Sequence, residues 1–164
     1  MALKTKDSPP VDISVVIPAF NESQNIPIVY KHLNDVLSSA RERWEIIFVD
    51  DGSTDNTWSK IEELHNVDQR VCGLRLSRNF GHQYALFAGL NAAHGAGIIS
   101  MDADLQHPPS IIPDLIAEWR KGNKIVHTIR EDPANLPVFK KITSKAFYRV
   151  FSYLSGVELE QGMA

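Results

Sequence analysis

Three short runs rich in β-branched residues each break off at a proline or an aspartate, and stretches of helical period separate them. Ile13-Ser14-Val15-Val16-Ile17 stops at Pro18, Glu45-Ile46-Ile47-Phe48-Val49 at Asp50-Asp51, and Ile98-Ile99-Ser100-Met101 at Asp102. Continuous apolar runs of this length read as strands buried on both faces, the habit of parallel sheets. After Asn21-Glu22-Ser23, the positions Ile26, Val29, Leu33, Val36 and Leu37 follow helical spacing, and Asp55 can cap a helix carrying Trp58, Ile61 and Leu64. Residues 71–76 read as a further strand, followed by a loop and an alanine-rich helix over 82–94. Pro108 and Pro109 lead into a helix with Ile112, Leu115, Ile116 and Trp119 that stops at Gly122. A strand over 124–129 and a last helix over 138–155 complete the series. Alternation of this kind predicts right-handed βαβ units, hence an α/β fold with a mostly parallel sheet and helices on both faces.

Composition narrows the class. A chain of 164 residues, 43% hydrophobic and 23% charged, is expected to form one soluble domain, here 11–164 behind a disordered tail over 1–10. A formal charge of -3 argues against nucleic acid as a partner bound by bulk electrostatics. The tail is polar and offers no apolar segment for a signal peptide, and no run approaches the roughly twenty apolar residues of a membrane span. The single cysteine, Cys72, fits a reducing, cytoplasmic setting.

In parallel sheets ligands bind outside the carboxyl ends of the strands, and the chemistry-bearing residues gather there. Asp102 and Asp104 lie one residue apart at a strand end. In extended backbone their carboxylates share a face, a pairing of hard oxygens that suits Mg²⁺ or Mn²⁺. Gln106 can add an oxygen ligand or an outer hydrogen bond. By itself the pair reads first as an acidic turn after a buried strand, because so short a pattern is common. Of Asp50 and Asp51, one is placed to accept hydrogen bonds from a base N–H or ribose hydroxyls, and the other to cap the turn at Gly52 and Ser53. Neither G-x-G-x-x-G nor G-x-x-x-x-G-K-[ST] occurs in a fitting context, which weakens dehydrogenase and P-loop readings. His82 and His107 read as polar loop residues. On the last helix, Lys141, Lys145 and Arg149 form a basic line beside an apolar stripe of Phe139, Ile142, Ala146, Val150 and Leu154. That pattern suits either an ordinary surface helix or one lying on an anionic membrane.

The stretches Ser14-Val15-Val16-Ile17-Pro18-Ala19-Phe20-Asn21-Glu22, Val49-Asp50-Asp51-Gly52-Ser53-Thr54-Asp55 and Met101-Asp102-Ala103-Asp104-Leu105-Gln106-His107-Pro108-Pro109 resemble, in order and spacing, family-two glycosyltransferases of the GT-A fold. Leu76-Ser77-Arg78-Asn79-Phe80-Gly81-His82 narrows the resemblance to the polyprenyl-phosphate branch, the bactoprenol glucosyltransferases and dolichol-phosphate mannosyltransferases. The resemblance implies a Rossmann-like nucleotide-sugar fold, a UDP-sugar donor, a Mg²⁺ or Mn²⁺ cofactor and an undecaprenyl phosphate acceptor at the cytoplasmic side of the inner membrane. It implies that Pro18, Ala19, Phe20, Glu22, Asp50, Asp51, Asp102 and Ala103 line the nucleotide-sugar pocket. Asp102, Asp104 and Gln106 would surround the metal, and Arg130, with Asp102 and Asp104, would serve the reaction at the phosphates. Lys141, Lys145 and Arg149 would face the acceptor phosphate and membrane. The implied reaction inverts the anomeric centre by direct displacement.

The resembled family continues past the position of Ala164 into further core elements and membrane-spanning helices. The fold is therefore expected to be C-terminally incomplete, with an open sheet edge that invites homo-oligomers. A module that binds a nucleotide sugar or a partner without turnover is the alternative. A phosphoacceptor receiver domain, with Asp50 or Asp51 as acceptor, is a third reading, and it leaves Asp102 and Asp104 unexplained.

Overall fold

The computed structural model describes residues 2–3, 10–104, 106 and 108–128. In chain order these form β1 (Ala2–Leu3), β2 (Ile13–Ala19), α1 (Asn25–Leu37), β3 (Trp44–Asp50), α2 (Thr57–Val67), β4 (Val71–Arg75), α3 (His82–Ala92), β5 (Gly97–Ser100), a 3₁₀ turn (Pro109–Ile111) and α4 (Ile112–Arg120). The sheet order is β1-β4-β3-β2-β5. The four strands from β4 to β5 run parallel, and β1 lies antiparallel to β4.

All seven residues of β2 and all seven of β3 are buried, as strands covered on both faces must be. The pleat then sorts their side chains into two cores. Ile13, Val15 and Ile17 of β2 join Trp44, Ile46 and Phe48 of β3 on one face, under Ile26, Val29 and Leu33 of α1, Trp58 and Ile61 of α2, and Ile112 and Ile116 of α4. Val16, Ile47 and Val49 face the other way, with Ala85, Leu86 and Ala88 of α3. The handedness of βαβ crossovers explains this division. From β2 the chain steps outward to β3 and β4 through α1 and α2, then reverses through α3 to reach β5 on the far side of β2. A right-handed crossover in the reversed direction must use the opposite face. That reversal makes the carboxyl end of β2, between β3 and β5, the switch point at which open α/β sheets bind ligands.

Helix α3 approaches the sheet closely because Gly89 has no side chain. A Cβ there would lie 2.9 Å from Val49 Cγ2 and closer still to Val16. The strand backbones are equally constrained in register, with Ala19 opposite Asp50 and Val16 opposite Ser100.

The described elements differ from the sequence expectations at two places. Ala2–Leu3, within the expected disordered tail, pair with Leu74 and Gly73 of β4. The chain divides into two compact units, Met1–Gly122 and Asn123–Ala164. In the second, residues 124–128 carry no strand, although a strand was expected over 124–129. The run Lys124-Ile125-Val126-His127-Thr128 has strand propensity, but propensity alone does not form a strand without a paired neighbour. Ile129 and the expected helix over 138–155 lie outside the described residues.

Candidate functional site

The segment after β2 is fixed by hydrogen bonds to the segment after β3. Asn21 adopts φ 57°, a left-handed conformation that asparagine tolerates better than most residues. Its N–H donates to Ser53 Oγ at 2.9 Å, and its Oδ1 accepts from the Thr54 N–H at 2.9 Å. The Glu22 N–H donates to Thr57 Oγ1 at 2.8 Å, and the Ser23 N–H to Asp55 Oδ2 at 3.2 Å. Asp55 Oδ1 also accepts from the N–H of Thr57, the first residue of α2. Partial burial pushes the Asp55 carboxyl up, but the bonds from Thr57 and Ser23 outweigh it and hold the group at about 2. This clamp turns Phe20 and Glu22 to one side, where Asn25 Nδ2 donates to Glu22 Oε2 at 2.6 Å.

The two aspartates that end β3 part company. Asp50 is fully buried. Its Oδ1 accepts from the Ser53 N–H at 2.9 Å, and its Oδ2 lies 3.3 Å from Arg75 Nε. Asp51, one residue on, points the other way, and its two oxygens accept from the N–H groups of Phe80 and Gly81 at 2.8 and 2.9 Å. The turn that follows them, at Gly52, passes close against the 78–79 backbone. Gly52 has φ +70°, and a Cβ there would lie 2.6 Å from Asn79 N. Glycine meets both demands at once.

Strand β5 ends at Ser100, and residues 103–104 form a turn in place of the expected extended backbone. Ala103 is buried in the same core as β2 and β3, and this small side chain anchors the turn. Asp102 on one side is partly exposed, with its Oδ1 3.6 Å from His82 Nε2. Asp104 on the other is exposed, and its Oδ1 accepts from the Gln106 N–H at 3.0 Å.

These pieces surround one cavity of about 380 Å³, within the usual range of ligand pockets. Pro18, Ala19, Phe20 and Glu22 line it from the end of β2, Asp51 from β3, and Asp102, Ala103 and Asp104 from β5. Loop residues Asn79 and Gly81, with His82 and Ala85 of α3, form the remaining wall. Asp51 therefore shares a cavity with the aspartate pair, the juxtaposition that the strand order predicts. Asp50 is not part of the lining. Consecutive strand residues face opposite ways, so it takes the turn-capping place that was one of the two expected for the pair. Gln106 is exposed and touches the site through its backbone bond to Asp104. Arg130, Lys141, Lys145 and Arg149 lie outside the described residues.

The sequence matches the family model described as Glycosyl transferase family 2 over residues 14–157. The chain belongs to glycosyl transferase family 2. Among members, it is 40% identical over 151 residues to the prophage bactoprenol glucosyl transferase homolog of Escherichia coli, covering 92% of this chain and 49% of that protein. It is 37% identical over 145 residues to the undecaprenyl-phosphate 4-deoxy-4-formamido-L-arabinose transferase of Proteus mirabilis, covering 88% of this chain and 44% of the other. It thus spans about half the length of the curated relatives it matches, and these names agree with the polyprenyl-phosphate branch.

Solved structures give the same fold. The mannosyltransferase of Pyrobaculum calidifontis, in complex with GDP-Man and Mn²⁺, superposes with a TM-score of 0.63 at 20% identity, covering 78% of this chain and 38% of that one. Glucosyl-3-phosphoglycerate synthase of Mycobacterium tuberculosis, with Mn²⁺ and UDP, gives 0.60 at 21% identity, covering 89% and 51%. The family member described here has the GT-A architecture of both.

Asn79 was not singled out in the sequence, and His82, expected to be a polar loop residue, instead opens α3 and lines the cavity. A lone asparagine or histidine in a polar loop carries no periodic signal. The one available pointer was position: both stand in the Ser77–His82 stretch that also carries the branch resemblance.

Proposed function

We propose that this chain is the donor-binding part of a metal-dependent, inverting glycosyltransferase. It moves a sugar, glucose in our reading, from a UDP-sugar to a polyprenyl phosphate of the undecaprenyl type at the cytoplasmic surface of the inner membrane. The observation that carries this reading is the meeting of Asp51, Asp102 and Asp104 around one cavity, with Phe20 at its edge. The relatives named for bactoprenol and undecaprenyl phosphate support the acceptor class. The structural neighbours solved with Mn²⁺ and a nucleotide support the cofactor and donor classes.

Each residue has a chemical task under this reading. Asp51 spends one lone pair of each oxygen on the Phe80 and Gly81 N–H groups, which leaves acceptor capacity for a uracil N–H or ribose hydroxyls. The Phe20 ring, 42% exposed, offers an apolar face to the base. Asp102 and Asp104 provide two hard oxygens on one turn. Among the described residues no group of three or more His, Cys, Asp or Glu side chains could hold a metal ion. Two carboxylates suit a cation that completes its shell with water and phosphate oxygens, as Mg²⁺ and Mn²⁺ do. Such an ion, when bound, neutralises charge on the departing nucleoside diphosphate. Gln106 supports this place from outside, and Arg130 is assigned to the phosphates.

The acceptor phosphate is already anionic at neutral pH, so the residues need supply no strong general base. They contribute by positioning two anions. Among the described residues no helix is long and apolar enough to cross a membrane. Membrane contact is assigned to Lys141, Lys145 and Arg149, which lie outside them.

Incubating the chain with radiolabelled UDP-glucose, undecaprenyl phosphate and Mn²⁺, then extracting lipid, tests the proposal. Metal-dependent label in the lipid fraction is expected. Donor binding without glycolipid would replace it with the non-catalytic binding module, and absence of donor binding would overturn it.

A further inference from the structure

The cavity lining is rich in groups that only accept hydrogen bonds. Glu22, Asp51, Asp102 and Asp104 contribute carboxylates, and phosphate oxygens are acceptors as well. A diphosphate entering this cavity must find donors. Among the described lining residues two side chains supply them, the Asn79 amide and the His82 imidazole.

We propose that His82 positions the bound nucleotide by donating its ring N–H to a diphosphate oxygen. This rests on the sugar-nucleotide reading above and adds a residue to it. Three observations point to His82. Its backbone is fixed, because the N–H groups of the two preceding residues, Phe80 and Gly81, are both tied to Asp51. It is also the first residue of α3, whose N-terminal end carries the positive pole of the helix. Finally, its Nε2 stands 3.6 Å from Asp102 Oδ1, too far for a hydrogen bond but beside the aspartate pair. A diphosphate that shares a cation with Asp102 and Asp104 comes within reach of this nitrogen. The imidazole is 52% exposed and makes no hydrogen bond to a described residue, so engaging a ligand breaks no existing bond.

Calorimetric titration in saturating Mn²⁺ tests the assignment, using UDP on the wild-type chain, His82→Ala and His82→Gln. Uridine binding followed by NMR and Mn²⁺ binding without nucleotide are measured alongside. UDP should bind about tenfold more weakly to His82→Ala, the effect of one hydrogen bond to a charged group. Uridine and Mn²⁺ affinities should stay at wild-type values, and His82→Gln, which retains an N–H donor, should recover most of the loss. An unchanged UDP affinity in His82→Ala would overturn the proposal. So would an equal loss for uridine, which means a deformed cavity, or weaker Mn²⁺ binding alone, which means that His82 acts through Asp102. A wild-type chain that binds neither UDP nor uridine would overturn the nucleotide reading itself, an outcome distinct from the others.

Discussion

Asp51→Ala is the substitution whose cost follows most directly from the structure. It removes two charge-assisted hydrogen bonds, at 2.8 and 2.9 Å, that hold the Phe80 and Gly81 N–H groups. Bonds of this kind contribute about 1.5–3 kcal/mol each, so the pair sets an upper bound of about 3–6 kcal/mol. Two effects reduce it. The 77–81 loop is largely exposed, so water can reach the freed N–H groups. A carboxylate at 3% exposure has also given up solvation that alanine never had. The expected loss is therefore about 1.5–3 kcal/mol, or about 3–12 °C in Tm for a chain of this size. Asp51→Asn keeps one acceptor but turns an amide N–H₂ toward a backbone N–H, and should lose at least half as much. Urea unfolding followed by circular dichroism measures both. Because the same loop carries Asn79, Gly81 and His82 into the cavity wall, nucleotide affinity should fall with stability. An Asp51→Ala chain within about 0.5 kcal/mol of wild type, the range of a neutral surface change, would refute the reasoning.

The other predictions concern separate links of the account. Asp104→Ala should leave stability within about 0.5 kcal/mol, because Asp104 is exposed and the bond it accepts comes from the N–H of the exposed Gln106, yet it should abolish the Mn²⁺-dependent part of UDP-sugar affinity. Calorimetry paired with a melting curve checks both. Gly89→Ala should destabilise by about 1–3 kcal/mol, since its Cβ would press on Val16 and Val49, and a urea titration reads this directly. Acid should weaken the clamp at Asp55. With a folded pKa of about 2 against an ordinary 3.8, this carboxylate stabilises the fold above pH 4, and its contribution disappears as the pH falls from about 4 toward 2. The stability gap between wild type and Asp55→Asn should thus narrow steadily between pH 5 and pH 2.5.

Much of the fold was legible because burial leaves a periodic trace. The runs at 13–17 and 45–49, and 98–100 of the run 98–101, are strands in register with one another, and the helical spacing of Ile26, Val29 and Leu33 marks the face of α1 that meets the sheet. The gathering of Asp51, Asp102 and Asp104 followed from strand ends alone, since a parallel sheet brings them to one rim. What stayed illegible depended on contacts between distant segments. Which of Asp50 and Asp51 faces the cavity is decided by the pleat of β3 and by Arg75, which lies 25 positions away. His82 gained its place only when the Asp51 bonds fixed the loop before it. The pairing of Ala2–Leu3 with β4 involves too few residues to leave a pattern. Residues 124–128 show the reverse error, in which apolar and β-branched character suggested a strand that the structure does not form.

The central claim is that acids from separate strand ends act together on one metal-bound sugar nucleotide. Measuring UDP affinity with and without Mn²⁺, and Mn²⁺ affinity with and without UDP, tests it most directly. Two ligands held in one site must change each other's affinity by the same factor. The account predicts a factor of at least tenfold in the wild-type chain that falls to one in Asp104→Ala, while metal-free UDP affinity survives. Equal UDP affinity in the presence and absence of Mn²⁺ would contradict it.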